Sequence, residues 1–116
     1  MNKLLHTPLT VHNVKLANRL VMPPMATGKT PDGTVQDDLL AYYDARSKGG
    51  CIGLIVTEHA YISPEGKAHE GQLSVSRDTD IPGLTKLVET IHKNNTHVIA
   101  QINHAGSAAM EEITGY

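Results

Sequence analysis

The sequence has 116 residues, of which 40% are hydrophobic and 19% charged, with a formal net charge of -2 and a pI near 6.4. This is the composition of a chain that buries one modest core, and it excludes a disordered tail. The near-neutral balance supplies no basic face for nucleic acid or an anionic membrane, so neither partner is expected.

The segment Met1-Asn2-Lys3-Leu4-Leu5-His6 is too short and polar for a signal peptide, and nothing downstream approaches a membrane span. A cytoplasmic location is the expectation that remains. Leu9-Thr10-Val11 and Val14-Lys15-Leu16 then alternate apolar and polar residues on either side of His12-Asn13. The pattern predicts a β-hairpin, with Asn13 suited to the turn because it tolerates a left-handed backbone.

Arg19-Leu20-Val21-Met22 reads as a first strand, stopped by Pro23-Pro24, which cannot donate to a sheet ladder. Thr34-Val35-Gln36-Asp37 has the form of a capping box, and Leu39, Leu40 and Tyr43 follow at helical spacing until Gly49-Gly50 ends the helix. The run from Cys51 to Thr57 is almost continuously apolar, as in a strand buried on both faces of a parallel sheet. The single cysteine, Cys51, is expected there as a buried, inert thiol.

After a polar loop holding Ser63-Pro64-Glu65-Gly66, Asp80 and Pro82 mark a second helix with the apolar stripe Leu84, Leu87, Val88 and Ile91, closed by Asn94-Asn95. Val98-Ile99-Ala100-Gln101-Ile102 is a third strand. The order is that of an α/β chain with parallel strands, and no composition break divides residues 1–116. A doubly wound sheet and a barrel both begin this way. A (β/α)₈ barrel takes about 250 residues and eight strands, so three strands leave it incomplete. The absence of Phe and Trp also suits an incomplete core.

In either architecture ligands lie beyond the carboxyl ends of the strands. Those ends are Pro23 to Thr27, Thr57 to Ala60 and Gln101 to Gly106. Gln101, Asn103 and His104 place polar side chains at the end of an apolar strand, and a glutamine both donates and accepts, as a heterocyclic edge requires. The same residues would serve equally to satisfy loop backbone groups. Glu58-His59 puts two ionisable groups at another strand end, where structural pairing is the competing explanation. Past the proline bend, the amides of Met25, Ala26 and Thr27 are placed to face a ligand, although strand termination alone accounts for the prolines.

Three segments carry a family likeness: Asn18-Arg19-Leu20-Val21-Met22-Pro23-Pro24-Met25-Ala26-Thr27, Gly53-Leu54-Ile55-Val56-Thr57-Glu58 and Gln101-Ile102-Asn103-His104-Ala105-Gly106. In order and position they resemble the old yellow enzyme family of NADH:flavin oxidoreductases. The resemblance implies the first three β/α units of a (β/α)₈ TIM barrel behind an N-terminal β-hairpin, forming part of a single FMN-binding domain. It implies hydride transfer from NAD(P)H through the flavin to a small-molecule activated alkene.

By similarity, Pro23, Pro24, Met25 and Ala26 line the flavin, Thr27 bonds its polar edge, His59 contacts it after the second strand, Gln101 bonds its pyrimidine edge, and His104 forms part of the site wall. The ring's electronics are tuned by such bonds. The family's substrate-anchoring pair, proton donor and phosphate-binding basic residues fall beyond Tyr116, so no catalytic acid is assigned and the chain alone is expected to be inactive.

The sequence departs from the family pattern at Ala26, where many members carry a side chain that tunes the flavin, at Gly28, where some carry an aromatic, and at Ser107, a frequent arginine. Substrate class is correspondingly open. A truncated, non-catalytic protein that self-associates or binds a partner through its open sheet edge is the alternative. A metal-dependent hydrolase using Glu58, His59 and His104 is a third, weakened because the seven histidines form no tight ligand motif.

Overall fold

The computed structural model describes residues 3–116; Met1 and Asn2 of the N-terminal segment lie outside the described residues. Strands β1 (Leu9–Val11) and β2 (Val14–Leu16) pair antiparallel with Val11 opposite Val14, so the two-residue turn falls on His12-Asn13 as predicted. The left-handed residue of that turn is His12, at φ 48°, rather than Asn13. A two-residue hairpin turn that matches strand twist takes positive φ at its first central position, whatever the neighbour would tolerate.

The His97 ring donates from Nε2 to the Lys15 carbonyl at 3.0 Å, which fastens the hairpin across the N-terminal ends of the parallel strands. Between hairpin and sheet lies an apolar cleft of about 390 Å³, whose lining includes Val11, Val14, Leu16, Leu54 and Ile99.

The parallel sheet is built on β4 (Leu54–Tyr61). Along one edge β4 pairs first with β3 (Val21–Met22) and then, at its far end, with β5 (Leu73–Ser74). Along the other it pairs with β6 (His97–Asn103). The four-stranded sheet is not closed.

One face carries α1 (Asp37–Ser47) and α2 (Ile81–His92). Leu39 and Tyr43 of α1, Leu87 and Ile91 of α2, and Ile55, Ala60 and Leu73 of the sheet make the core between them. Val88, expected in the stripe of α2, is exposed because it lies at the margin of that contact. A final turn, α3 (Glu111–Thr114), follows β6.

Four local expectations change. Thr34 does not cap α1: the helix starts at Asp37 after an N-cap at Gln36 that makes no side-chain cap. The Thr34 hydroxyl instead donates to Asp32 at 2.6 Å and accepts from Gln36 at 2.7 Å, the kind of local side-chain bonding that competes with helix initiation. The second strand begins at Leu54, not Cys51, because Gly49 and Gly50 take left-handed φ and the chain re-enters the sheet only after Gly53, whose missing Cβ leaves room for the Asn18 carbonyl. The short β5 has too few residues to show a period. Finally, β4 is buried on one face only, with Leu54 and Val56 half-buried on the face that carries no helix.

Cys51 is therefore an exposed thiol rather than a buried one. Iodoacetamide is expected to alkylate one thiol per native chain at close to the rate seen in denaturant. Protection of Cys51 in the native chain, read by intact mass against time, would contradict this placement. No helix among the described residues is long and apolar enough to cross a membrane.

Candidate active site

A β-bulge in β4 decides which side chains meet at the strand ends. Val56 is in register with Ile99 and His59 with Gln101, so three steps along β4 match two along β6. The extra residue reverses the alternation of faces. Before it Ile55 and Thr57 are buried toward the helices; after it Glu58 and Ala60 are. His59 is thereby returned to the helix-free face, in register with Gln101.

Glu58, turned inward, is 1% exposed. A buried carboxylate is costly unless bonded, and the fold provides two donors. Thr27 Oγ1 donates to Glu58 Oε1 at 2.9 Å, and the Tyr43 hydroxyl donates to the same oxygen at 3.4 Å while accepting the Glu58 backbone N–H at 2.8 Å. Burial pushes the Glu58 carboxyl above its ordinary pKa, and the bonds from Thr27 and Tyr43 partly offset that. Burial likewise raises the Tyr43 phenol, so it remains a donor. Glu58 and Thr27 thus pin the segment after β3 onto β4.

On the helix-free face, His59 is half-buried and Gln101 exposed. The Gln101 amide makes no hydrogen bond among the described residues, so its donor and acceptor both face outward for use. His59 Nε2 lies 2.9 Å from His69 Nε2, and burial first, then the neighbouring His69, holds the His59 pKa below the usual imidazole range.

The prolines sit where predicted: Pro24 is half-buried while Pro23, Met25 and Ala26 are exposed at the end of β3. His104 is placed by Gly66, where a Cβ would fall 2.5 Å from the ring, and its Nδ1 accepts the Gly106 N–H at 3.0 Å. Asn103 serves structure, since its side chain accepts from the buried Gln72 at 3.2 Å. Glu58, His59 and His104 are not gathered into a metal-binding group, and no group of three such ligands occurs among the described residues.

Sequence reasoning missed His69 and Tyr43 as neighbours of the site. Neither lies at a strand end, and only the loop and helix packing brings them there.

Residues 4–115 match the NADH:flavin oxidoreductase / NADH oxidase family. The chain belongs to this family. It is a family of FMN-binding oxidoreductases that use NADH or NADPH. The chain is 36% identical over 112 residues to a metal reductase of Desulforamulus reducens, covering 97% of this chain and 16% of the relative. It is 42% identical over 103 residues to an NADH:acrylate oxidoreductase of Vibrio harveyi, covering 88% of this chain and 10% of the relative. Among solved structures, an old yellow enzyme from Pichia superposes with a TM-score of 0.85 at 30% identity, covering 93% of this chain and 28% of that one.

The chain thus spans about a sixth or less of those two relatives. Its hairpin and parallel units match the N-terminal part of the old yellow enzyme barrel, the first three β/α units of a sheet that is not closed.

Proposed function

We propose that this chain supplies one wall of an FMN site. In it Pro23, Pro24, Met25 and Ala26 lie against the flavin, Thr27 stands at its polar edge, His59 and Gln101 hold its pyrimidine side, and His104 completes the wall. The observation that carries this reading is the pairing of His59 with Gln101 on the helix-free face, with Thr27 of the segment after β3 tied to the neighbouring Glu58.

The residues fit such a ring. Gln101 offers an uncommitted donor and acceptor, and the exposed Pro23 and Met25 with the half-buried Pro24 offer an apolar floor. Thr27 fits in a narrower way than its residue type suggests. Its hydroxyl hydrogen is given to Glu58 and one lone pair accepts the Lys29 N–H at 3.2 Å, so only a remaining lone pair or its main chain would meet the flavin.

The chemistry that an FMN held by Pro23, Pro24, Met25, Ala26, Thr27, His59 and Gln101 would supply is hydride transfer between NAD(P)H and an activated alkene. A relative named for acrylate, a conjugated alkene, supports that substrate class. What these residues do is hold and orient the ring edge and exclude water from one side. They provide no proton donor for the substrate and no phosphate anchor, so the chain alone is inactive.

Titrating ¹⁵N-labelled chain with FMN tests this. Shifts are expected at Met25, Ala26, Thr27, His59 and Gln101, with no NADH-dependent bleaching of the flavin. Shifts confined to the helix-bearing face would overturn the site, and bleaching would overturn the inactivity.

The exposed edge strand favours a second reading, association through the sheet. Ile99 and Ile102 of β6 are 53% and 68% exposed, and an unpaired apolar edge recruits other chains. A monomer in light scattering at micromolar concentration would exclude it.

A further inference from the structure

His69 stands in the loop between β4 and β5, and its ring lies 5.1 Å from that of His59, inclined at 32°. The 2.9 Å contact between their Nε2 atoms requires one hydrogen between them, because two lone pairs or two N–H groups would repel.

The other side of His69 decides which ring carries that hydrogen. Its Nδ1 lies 2.8 Å from the Glu70 carbonyl oxygen, and a carbonyl only accepts, so Nδ1 is the protonated nitrogen of His69. In the neutral ring Nε2 then holds a lone pair, and His59 is the donor. His59 Nδ1 consequently has no hydrogen, and it has no partner among the described residues. The lowered pKa of His59 keeps that lone pair free at neutral pH.

We propose that His69 is a positioning residue: by accepting the Nε2–H of His59 it presents His59 Nδ1, in register with Gln101, as an acceptor for the N–H of a cyclic imide edge. An imide sets an N–H beside a carbonyl, and an imidazole acceptor next to an amide donor complements that pair. The ligand half of this inference rests on the flavin reading above, since FMN carries such an edge.

The neutral-ring tautomers of the full chain are read by long-range ¹H–¹⁵N correlation above the usual imidazole pKa, without flavin. His59 is expected as the Nε2–H form and His69 as the Nδ1–H form; the reverse pair overturns the proposal. In His69→Phe, His59 is expected to relax to a mixture of tautomers, whereas His69→Gln, whose side-chain oxygen accepts, keeps it fixed. A folded His69→Phe chain in which His59 stays fixed also overturns it.

With FMN as the probe, binding is expected to weaken about tenfold in His69→Phe, as for loss of one hydrogen bond, and to recover in His69→Gln. Equal binding by the native chain and His69→Phe overturns the acceptor role. Failure of the native chain to bind FMN counts against the flavin site, while the tautomers judge His69 separately.

Discussion

Tyr43→Ala is expected to leave the chain largely unfolded in buffer. The ring is 0% exposed at the centre of the α1, α2 and β4 contact, and deleting a buried aromatic side chain costs about 3–5 kcal/mol. Its hydroxyl has a second task, since it accepts the Glu58 N–H and donates to the Glu58 carboxylate. Leaving those groups unsatisfied adds roughly 1–3 kcal/mol. Native domains are stable by only about 5–15 kcal/mol, and a sheet covered on one face has less to lose.

Tyr43→Phe separates the two contributions. It keeps the ring and removes the oxygen, so it is expected to cost only the second amount, read as a lowered urea midpoint with an unchanged slope. If Tyr43→Phe is as stable as the native chain, the hydroxyl does not support Glu58. In that case Thr27 alone holds the carboxyl.

The contrast between these residues shows what the sequence made legible. Gln101 and His59 stood out as polar residues against apolar runs, although β6 and β4 run two residues past them, to Asn103 and Tyr61. The hairpin was readable because its turn is local. Glu58 and His59 are adjacent in sequence, yet one is buried against α1 and the other faces away. Strand alternation alone sends neighbours to opposite faces; which of the two turns inward is set by the bulge between Val56 and His59, and a bulge is a property of two strands' register.

Cys51 was misplaced for a related reason. Its apolar neighbours resemble a strand, but the left-handed Gly49 and Gly50 and the close approach of Gly53 to Asn18 delay entry to the sheet by three residues. His69 lacked any local signal, because its role arises from a loop folding back onto β4.

Gly71→Ala is expected to disturb the site from that same loop. Gly71 sits at φ 71°, and an added Cβ would lie 2.7 Å from the Gly28 carbonyl oxygen and 3.0 Å from the Gly28 carbonyl carbon and Cα. These are backbone atoms, which cannot swing aside as a side chain would. The Gly71 carbonyl also accepts from the hydroxyl of the buried Thr30 at 2.7 Å, so pushing the strands of chain apart strains a second contact.

The left-handed conformation alone costs a non-glycine residue roughly 1–2 kcal/mol, and the displacement brings the total to about 3 kcal/mol, within the range of backbone-strain mutants. Gly28→Ala is the control. Its φ is 67°, but a Cβ there meets nothing within 4 Å, so it should show the conformational cost without the clash. Urea midpoints measure both, and equal losses would sink the argument for the clash. Amide shifts from Met25 to Thr30 carry the functional part. Because Thr27 is tied to Glu58 and Thr30 to Gly71, Gly71→Ala should move that segment as a unit and Gly28→Ala should leave it in place.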